Sequence, residues 1–130
     1  MYQDVLEKAF DALKNSYAPY SNFNVASCVK LKNGQTFIGV NIENSAYGST
    51  MCAERNAIFA TYSNGYRKED IEVIAIVTKS DSVASPCGSC RQVLSELLDK
   101  DTLIILSNGK KRIDTNINEL LPLAFSSEDL

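Results

Sequence analysis

Val73-Ile74-Ala75-Ile76-Val77 is the stretch on which the fold turns. It is a continuous apolar run, as a strand covered on both faces requires. Leu103-Ile104-Ile105-Leu106 repeats the pattern downstream. Between them, Val93, Leu94, Leu97 and Leu98 follow helical spacing and predict a helix starting near Gly88. Upstream, a helix is expected from Met51 or Cys52 to about Ser63, ending before Gly65. Before it, Val25 to Leu31 reads as a strand, with Val25, Val29 and Leu31 on one face. Thr36 to Ile42 is its partner, and Asn33-Gly34 predicts a two-residue hairpin between them. Val5, Leu6, Ala9, Phe10 and Leu13 give a first amphipathic helix, followed by a loop at Ala18-Pro19-Tyr20-Ser21-Asn22. At the other end, Ser107-Asn108-Gly109-Lys110 predicts a tight turn into a last strand near Lys111 to Asp114. So short a link makes that final pair antiparallel. A short helix from Ile117 to Leu121 precedes Pro122. The expectation is an α/β fold with a five-stranded mixed sheet and helices on both faces, as a single domain over 1–130.

A chain of 130 residues buries roughly two-thirds of its unfolded surface, so no disulfide staple is needed. A net charge of −3 builds no field for phosphate backbones, and no nucleic-acid partner is expected. Asp4, Glu7, Lys8 and Asp11 interrupt the first apolar positions, so no signal peptide is read. No apolar run approaches a membrane span. A cytoplasmic location is the expectation, and there cysteines stay reduced. The chain has no histidine. Serine–histidine and cysteine–histidine hydrolases in their usual forms are excluded, and a zinc site has to be built on sulfur.

Cys52-Ala53-Glu54-Arg55 and Pro86-Cys87-Gly88-Ser89-Cys90 supply that sulfur. Three thiols hold a zinc ion and leave its fourth position open, the property that separates catalytic from structural zinc. Both segments fall at predicted helix N-termini, which stabilise thiolates, the metal-binding form. Pro86 pre-sets the entry to its helix, and Gly88 is expected to let the backbone approach the metal closely. Glu54, not needed as a ligand, is the candidate proton shuttle. Three thiolates make the metal a weaker acid toward water. Arg55 is the candidate correction, its guanidinium donating to a thiolate sulfur. Two other readings stand beside this one. Cys87-x-x-Cys90 alone fits a redox dithiol, and a structural four-cysteine zinc would recruit Cys28. A small buried core residue is the plainer reading of Cys28.

Asn41 and Glu43 stand two apart on a predicted strand and so share a face. An amide beside a carboxylate suits a sugar hydroxyl, which both donates and accepts. An exposed strand end is the simpler alternative.

These segments resemble the cytidine deaminase family, in its small form with a three-cysteine zinc site. Asn41-Ile42-Glu43-Asn44, Ala46-Tyr47-Gly48, Cys52-Ala53-Glu54-Arg55 and Pro86-Cys87-Gly88-x-Cys90-Arg91-Gln92 carry the likeness. The tail, Leu120-Leu121-Pro122 and Ala124-Phe125-Ser126-Ser127-Glu128-Asp129-Leu130, extends it over nearly the whole chain. The resemblance implies the three-layer α-β-α cytidine-deaminase-like fold, one Zn²⁺ per subunit, a homotetramer and a role in pyrimidine salvage. It implies hydrolysis of cytidine and deoxycytidine to uridine and deoxyuridine. Water activated by the metal adds at C4, and Glu54 carries its proton to N3 and then to the departing amino group. It further implies that Phe23 packs on the pyrimidine and that Asn41 and Glu43 grip the ribose 3′-hydroxyl. The Ala53 amide is implied to hold the base carbonyl, and the Ser85 carbonyl to accept from the leaving ammonia. Tyr47 and Phe125 are implied to complete a neighbouring subunit's pocket. Ala26 and Asn56 depart from common family residues; Ala26 is expected to tighten packing near the pocket. The competing readings are a deaminase of a modified nucleoside such as blasticidin S, polynucleotide editing, and a non-catalytic zinc domain.

Overall fold

In the computed structural model, which describes residues 1–129 apart from the side chains of Tyr47 and Glu128, the apolar run becomes the middle of the sheet. The strands are β1 (Ala26–Leu31), β2 (Thr36–Val40), β3 (Ile71–Val77), β4 (Leu103–Ser107) and β5 (Arg112–Thr115). They lie in the order β2-β1-β3-β4-β5. β3 pairs in parallel with β4 and antiparallel with β1; β4 and β5 are antiparallel, as the short turn at Asn108 and Gly109 predicts.

The helices are α1 (Gln3–Ala12), α2 (Ala53–Ser63), α3 (Gly88–Leu97) and α4 (Ile117–Leu120). Alternation along β3 sorts the core into two layers. Val73, Ala75 and Val77 meet Val5, Leu6 and Ala9 of α1 on one face. Ile74 and Ile76 meet Ala57 and Ile58 of α2, Leu94 of α3 and Ile117 of α4 on the other. All these residues are buried, which is why the run from Val73 to Val77 carries no polar alternation.

Some boundaries differ from expectation for physical reasons. The first hairpin is not a two-residue loop. Gly34 N–H donates to the Leu31 carbonyl, and Leu31 N–H donates to the Gln35 carbonyl. Of the turn residues only Gly34 takes positive φ (94°), the pattern of a three-residue hairpin closed by a left-handed glycine. β2 stops at Val40 because the next residues change partners. Tyr17 N–H donates to the Asn41 carbonyl, and Ile42 exchanges two hydrogen bonds with Met51. Ala26 packs with the α1 layer, across the sheet from α2 and α3, so its methyl does not tighten the pocket described below. Asn56 instead donates to the Val40 carbonyl at 2.7 Å, tying α2 to the end of β2.

α2 rests directly on β2. A Cβ at Gly39 would stand 2.3 Å from Ala57 N and 2.4 Å from the Ala53 carbonyl oxygen. Only glycine allows that approach, and it sets where the α2 N-terminus lies.

Candidate active site

Two helix N-termini meet above the Ile74/Ile76 face of the sheet. Cys52 is the N-cap of α2 and Cys87 the N-cap of α3. Cys90 sits one turn into α3 and is fully buried. The Sγ atoms of Cys52, Cys87 and Cys90 lie within 4.8 Å of one another. Cys52 and Cys87 are 3.8 Å apart, and Cys87 and Cys90 3.3 Å. A tetrahedral zinc about 2.3 Å from each sulfur needs sulfurs about 3.8 Å apart, so the trio fits that ion. The Cys87 sulfur also accepts from Cys90 N–H at 3.5 Å.

Arg55 Nη2 donates to the Cys52 sulfur at 3.5 Å. Cys52 is held down to about 5, first by its hydrogen bond with Cys90 and also by Arg55 and Cys87. Cys90 is pushed up by that same bond with Cys52 and by burial. Of this pair, the thiolate lies at Cys52, beside the guanidinium, and the proton at Cys90. Metal binding displaces the remaining protons.

Cys28 takes no part. It is fully buried in the α1 layer, and burial pushes its thiol up to about 11. A four-cysteine site is therefore excluded by the sheet that separates Cys28 from the trio. At Gly88, a Cβ would meet no protein atom within 4 Å, so no packing contact within the chain requires glycine there.

A cavity of about 280 Å³ opens over the cluster, lined by Phe23, Asn41, Glu43, Cys52, Glu54 and Ser85 among others. That is near the small end for small-molecule pockets. Glu54 is 4% exposed. Burial, with the charge on Cys52 adding to it, raises its carboxyl to about 7, the value suited to giving and taking protons at neutral pH. Ala53 opens α2, so its N–H has no intrahelical acceptor. A larger groove of about 680 Å³, near Phe10, Lys14 and Lys79, holds none of the thiols and neither Glu43 nor Glu54.

Asn41 and Glu43 lie beyond the end of β2, yet both line the cavity. Their side chains already serve the protein. Asn41 Oδ1 accepts from Val25 N–H at 3.0 Å and from the Ser16 hydroxyl, while Nδ2 donates to the Phe23 carbonyl at 2.7 Å. Glu43 accepts from Tyr20 N–H at 3.0 Å, Ser21 N–H at 3.1 Å and the Ser21 hydroxyl. The Ser21 hydroxyl first, then the two amides, hold the Glu43 carboxyl below the usual carboxylate range. Among the described residues, one N–H of Asn41 and one lone-pair site of Glu43 remain unpartnered. Phe23, half exposed at the rim, supplies a ring face for stacking, and buried Val25 adds an aliphatic wall beside it.

Phe125 is not brought to this cavity. It is exposed, beside Lys68, Ser95 and Lys100, and its carbonyl accepts from Gln92 Nε2 at 3.0 Å. The side chain of Tyr47, and all of Leu130, lie outside the described residues. Local spacing missed two features. Thr50 lines the cavity with a buried hydroxyl that has no partner among the described residues. Arg91, at the start of α3, binds the loop that precedes Cys87.

Residues 1–106 match the family described as the cytidine and deoxycytidylate deaminase zinc-binding region. The chain belongs to this family. It is 43% identical over 129 residues to a cytidine deaminase of Halalkalibacterium halodurans, covering 98% of this chain and 96% of that one. A crystal structure of cytidine deaminase from Burkholderia pseudomallei superposes with a TM-score of 0.92 at 38% identity, covering 96% of this chain and 99% of the other. A blasticidin-S deaminase of Bacillus cereus is 34% identical over 110 residues, 79% of this chain and 77% of that one. The zinc-deaminase family and its mixed α/β sheet, both expected from the sequence, are thereby established.

Proposed function

We propose that this chain is a single-domain, zinc-dependent deaminase that converts cytidine and deoxycytidine to uridine and deoxyuridine with release of ammonia. The observation that carries this is the cluster of Cys52, Cys87 and Cys90, two of which, Cys52 and Cys87, line the same small cavity as the buried Glu54 carboxyl. The three cysteines would hold the ion, which when bound supplies a Lewis acid that makes water nucleophilic near neutral pH.

Glu54 then moves two protons. It takes one from the attacking water and gives it to ring N3. It takes the second from the oxygen now on C4 and gives it to the amino group. The C–N bond breaks, the carbonyl forms and ammonia leaves. The Ala53 N–H holds the base carbonyl, and the Ser85 carbonyl accepts from the departing nitrogen. Phe23 covers the pyrimidine ring. The free N–H of Asn41 donates to the ribose 3′-hydroxyl, and the remaining lone pair of Glu43 accepts from it.

Tyr47 and Phe125 are assigned to a neighbouring subunit's pocket in a homotetramer. Exposed Tyr20, Ile42, Phe59 and Phe125 support burial against further copies; light scattering tests the assembly. The unpaired cysteines fit a reducing, cytoplasmic setting, and release of uridine from cytidine fits a role in pyrimidine salvage. No nucleic-acid partner is assigned, and among the described residues no helix is long and apolar enough to cross a membrane.

The test is ammonia release from cytidine, deoxycytidine and blasticidin S in parallel. Turnover of both nucleosides supports the proposal. Turnover of the antibiotic alone overturns it.

A further inference from the structure

The Ser85–Pro86 peptide unit lacks an N–H, because its nitrogen belongs to proline. Its only polar group is the Ser85 carbonyl, so hydrogen bonding through its own nitrogen cannot fix its orientation. Arg91 reaches it from both sides. Nε donates to the Pro86 carbonyl at 2.8 Å, and Nη2 donates to the Ser85 hydroxyl. The third arm, Nη1, donates to the Leu120 carbonyl at 2.5 Å. Leu120 ends α4, which packs on α3. The planar guanidinium therefore joins three acceptors in two distant segments, a geometry an ammonium cannot reproduce.

We propose that Arg91 is a positioning residue that aims the Ser85 carbonyl at the departing amino group, with α4 as its fixed support. The inference rests on the deaminase reading given above. Arg91 acts through Ser85: its guanidinium bonds go to Ser85, Pro86 and Leu120. It serves cleavage of the C–N bond. It does not serve binding of the ring, addition of water or retention of zinc.

Pyrimidin-2-one ribonucleoside separates these roles, because it has the ring and sugar but no amino group. Arg91→Gln and Arg91→Lys should each lower kcat for cytidine about 10–100-fold. Zinc content and the Kd for the pyrimidinone nucleoside should stay within about twofold of the unsubstituted protein. Ser85→Ala should reproduce part of the loss, and the double variant should lose less than the product of the two. A parallel fall in zinc content or pyrimidinone affinity would mean a merely structural role and overturn the proposal, as would an unchanged kcat. Failure of the unsubstituted protein to release ammonia from cytidine would instead overturn the deaminase reading and this role with it.

Discussion

Arg55 donates a hydrogen bond to the Cys52 sulfur across 3.5 Å. The guanidinium thus withdraws charge from a sulfur whose thiol is held below its ordinary value, first by the Cys90 hydrogen bond and then by Arg55 itself. Arg55→Ala should lower zinc affinity or turnover about 10–100-fold while the fold persists. Zinc content after dialysis against a chelator, together with circular dichroism, checks this. Unchanged retention and turnover would remove the role.

Glu54 and the cysteines make separable contributions. Glu54→Gln keeps the volume and removes the titrating carboxyl. It should cost at least about 10²–10⁴ in kcat with zinc retained, because the three thiols are untouched. Metal analysis beside a single-turnover assay would show it. A non-catalytic zinc domain predicts that the substitution changes nothing.

Gly39 and Gly88 make a matched pair. A methyl at Gly39 meets the α2 backbone at 2.3 Å, and neither segment can yield without moving the helix that carries Cys52 and Glu54. Gly39→Ala should destabilise the protein by about 3 kcal/mol and reduce activity. Gly88→Ala meets nothing within 4 Å and should change stability by at most about 1 kcal/mol. Denaturant midpoints of the two variants compare them directly.

Glu43 gives a pH dependence of known sign. Its folded carboxyl is held below the ordinary value by the Ser21 hydroxyl and two backbone amides. Such a group contributes stability above its unfolded pKa, about 4.3, and loses it as pH falls through the lower folded value. The stability difference between the unsubstituted protein and Glu43→Gln should be full at pH 7 and shrink below about pH 4. The cysteine chemistry is common to both proteins and cancels in the difference. A gap that widens in acid would contradict the assignment.

The layers of the fold are legible in the sequence because Ile74 and Ile76 face one way and Val73, Ala75 and Val77 the other, within one uninterrupted run. The thiol cluster is legible because Cys52 and Cys87 mark helix starts, a local signal. What escapes is non-local. Nothing near Gly39 in the sequence announces that Ala57 will lie against it, and nothing near Arg91 announces Leu120. The occupied state of Asn41 and Glu43 is hidden for the same reason. Their partners, Ser16, Tyr20, Ser21, Phe23 and Val25, come from the stretch between α1 and β1.

The most direct measurement is the ultraviolet absorbance of cytidine mixed with protein stripped of metal and reloaded with zinc in steps. Conversion to uridine should be lost on stripping and return in proportion to zinc, reaching its limit at one ion per chain. Full conversion by the stripped protein, or unchanged cytidine with zinc bound and the protein folded, would contradict zinc-dependent deamination.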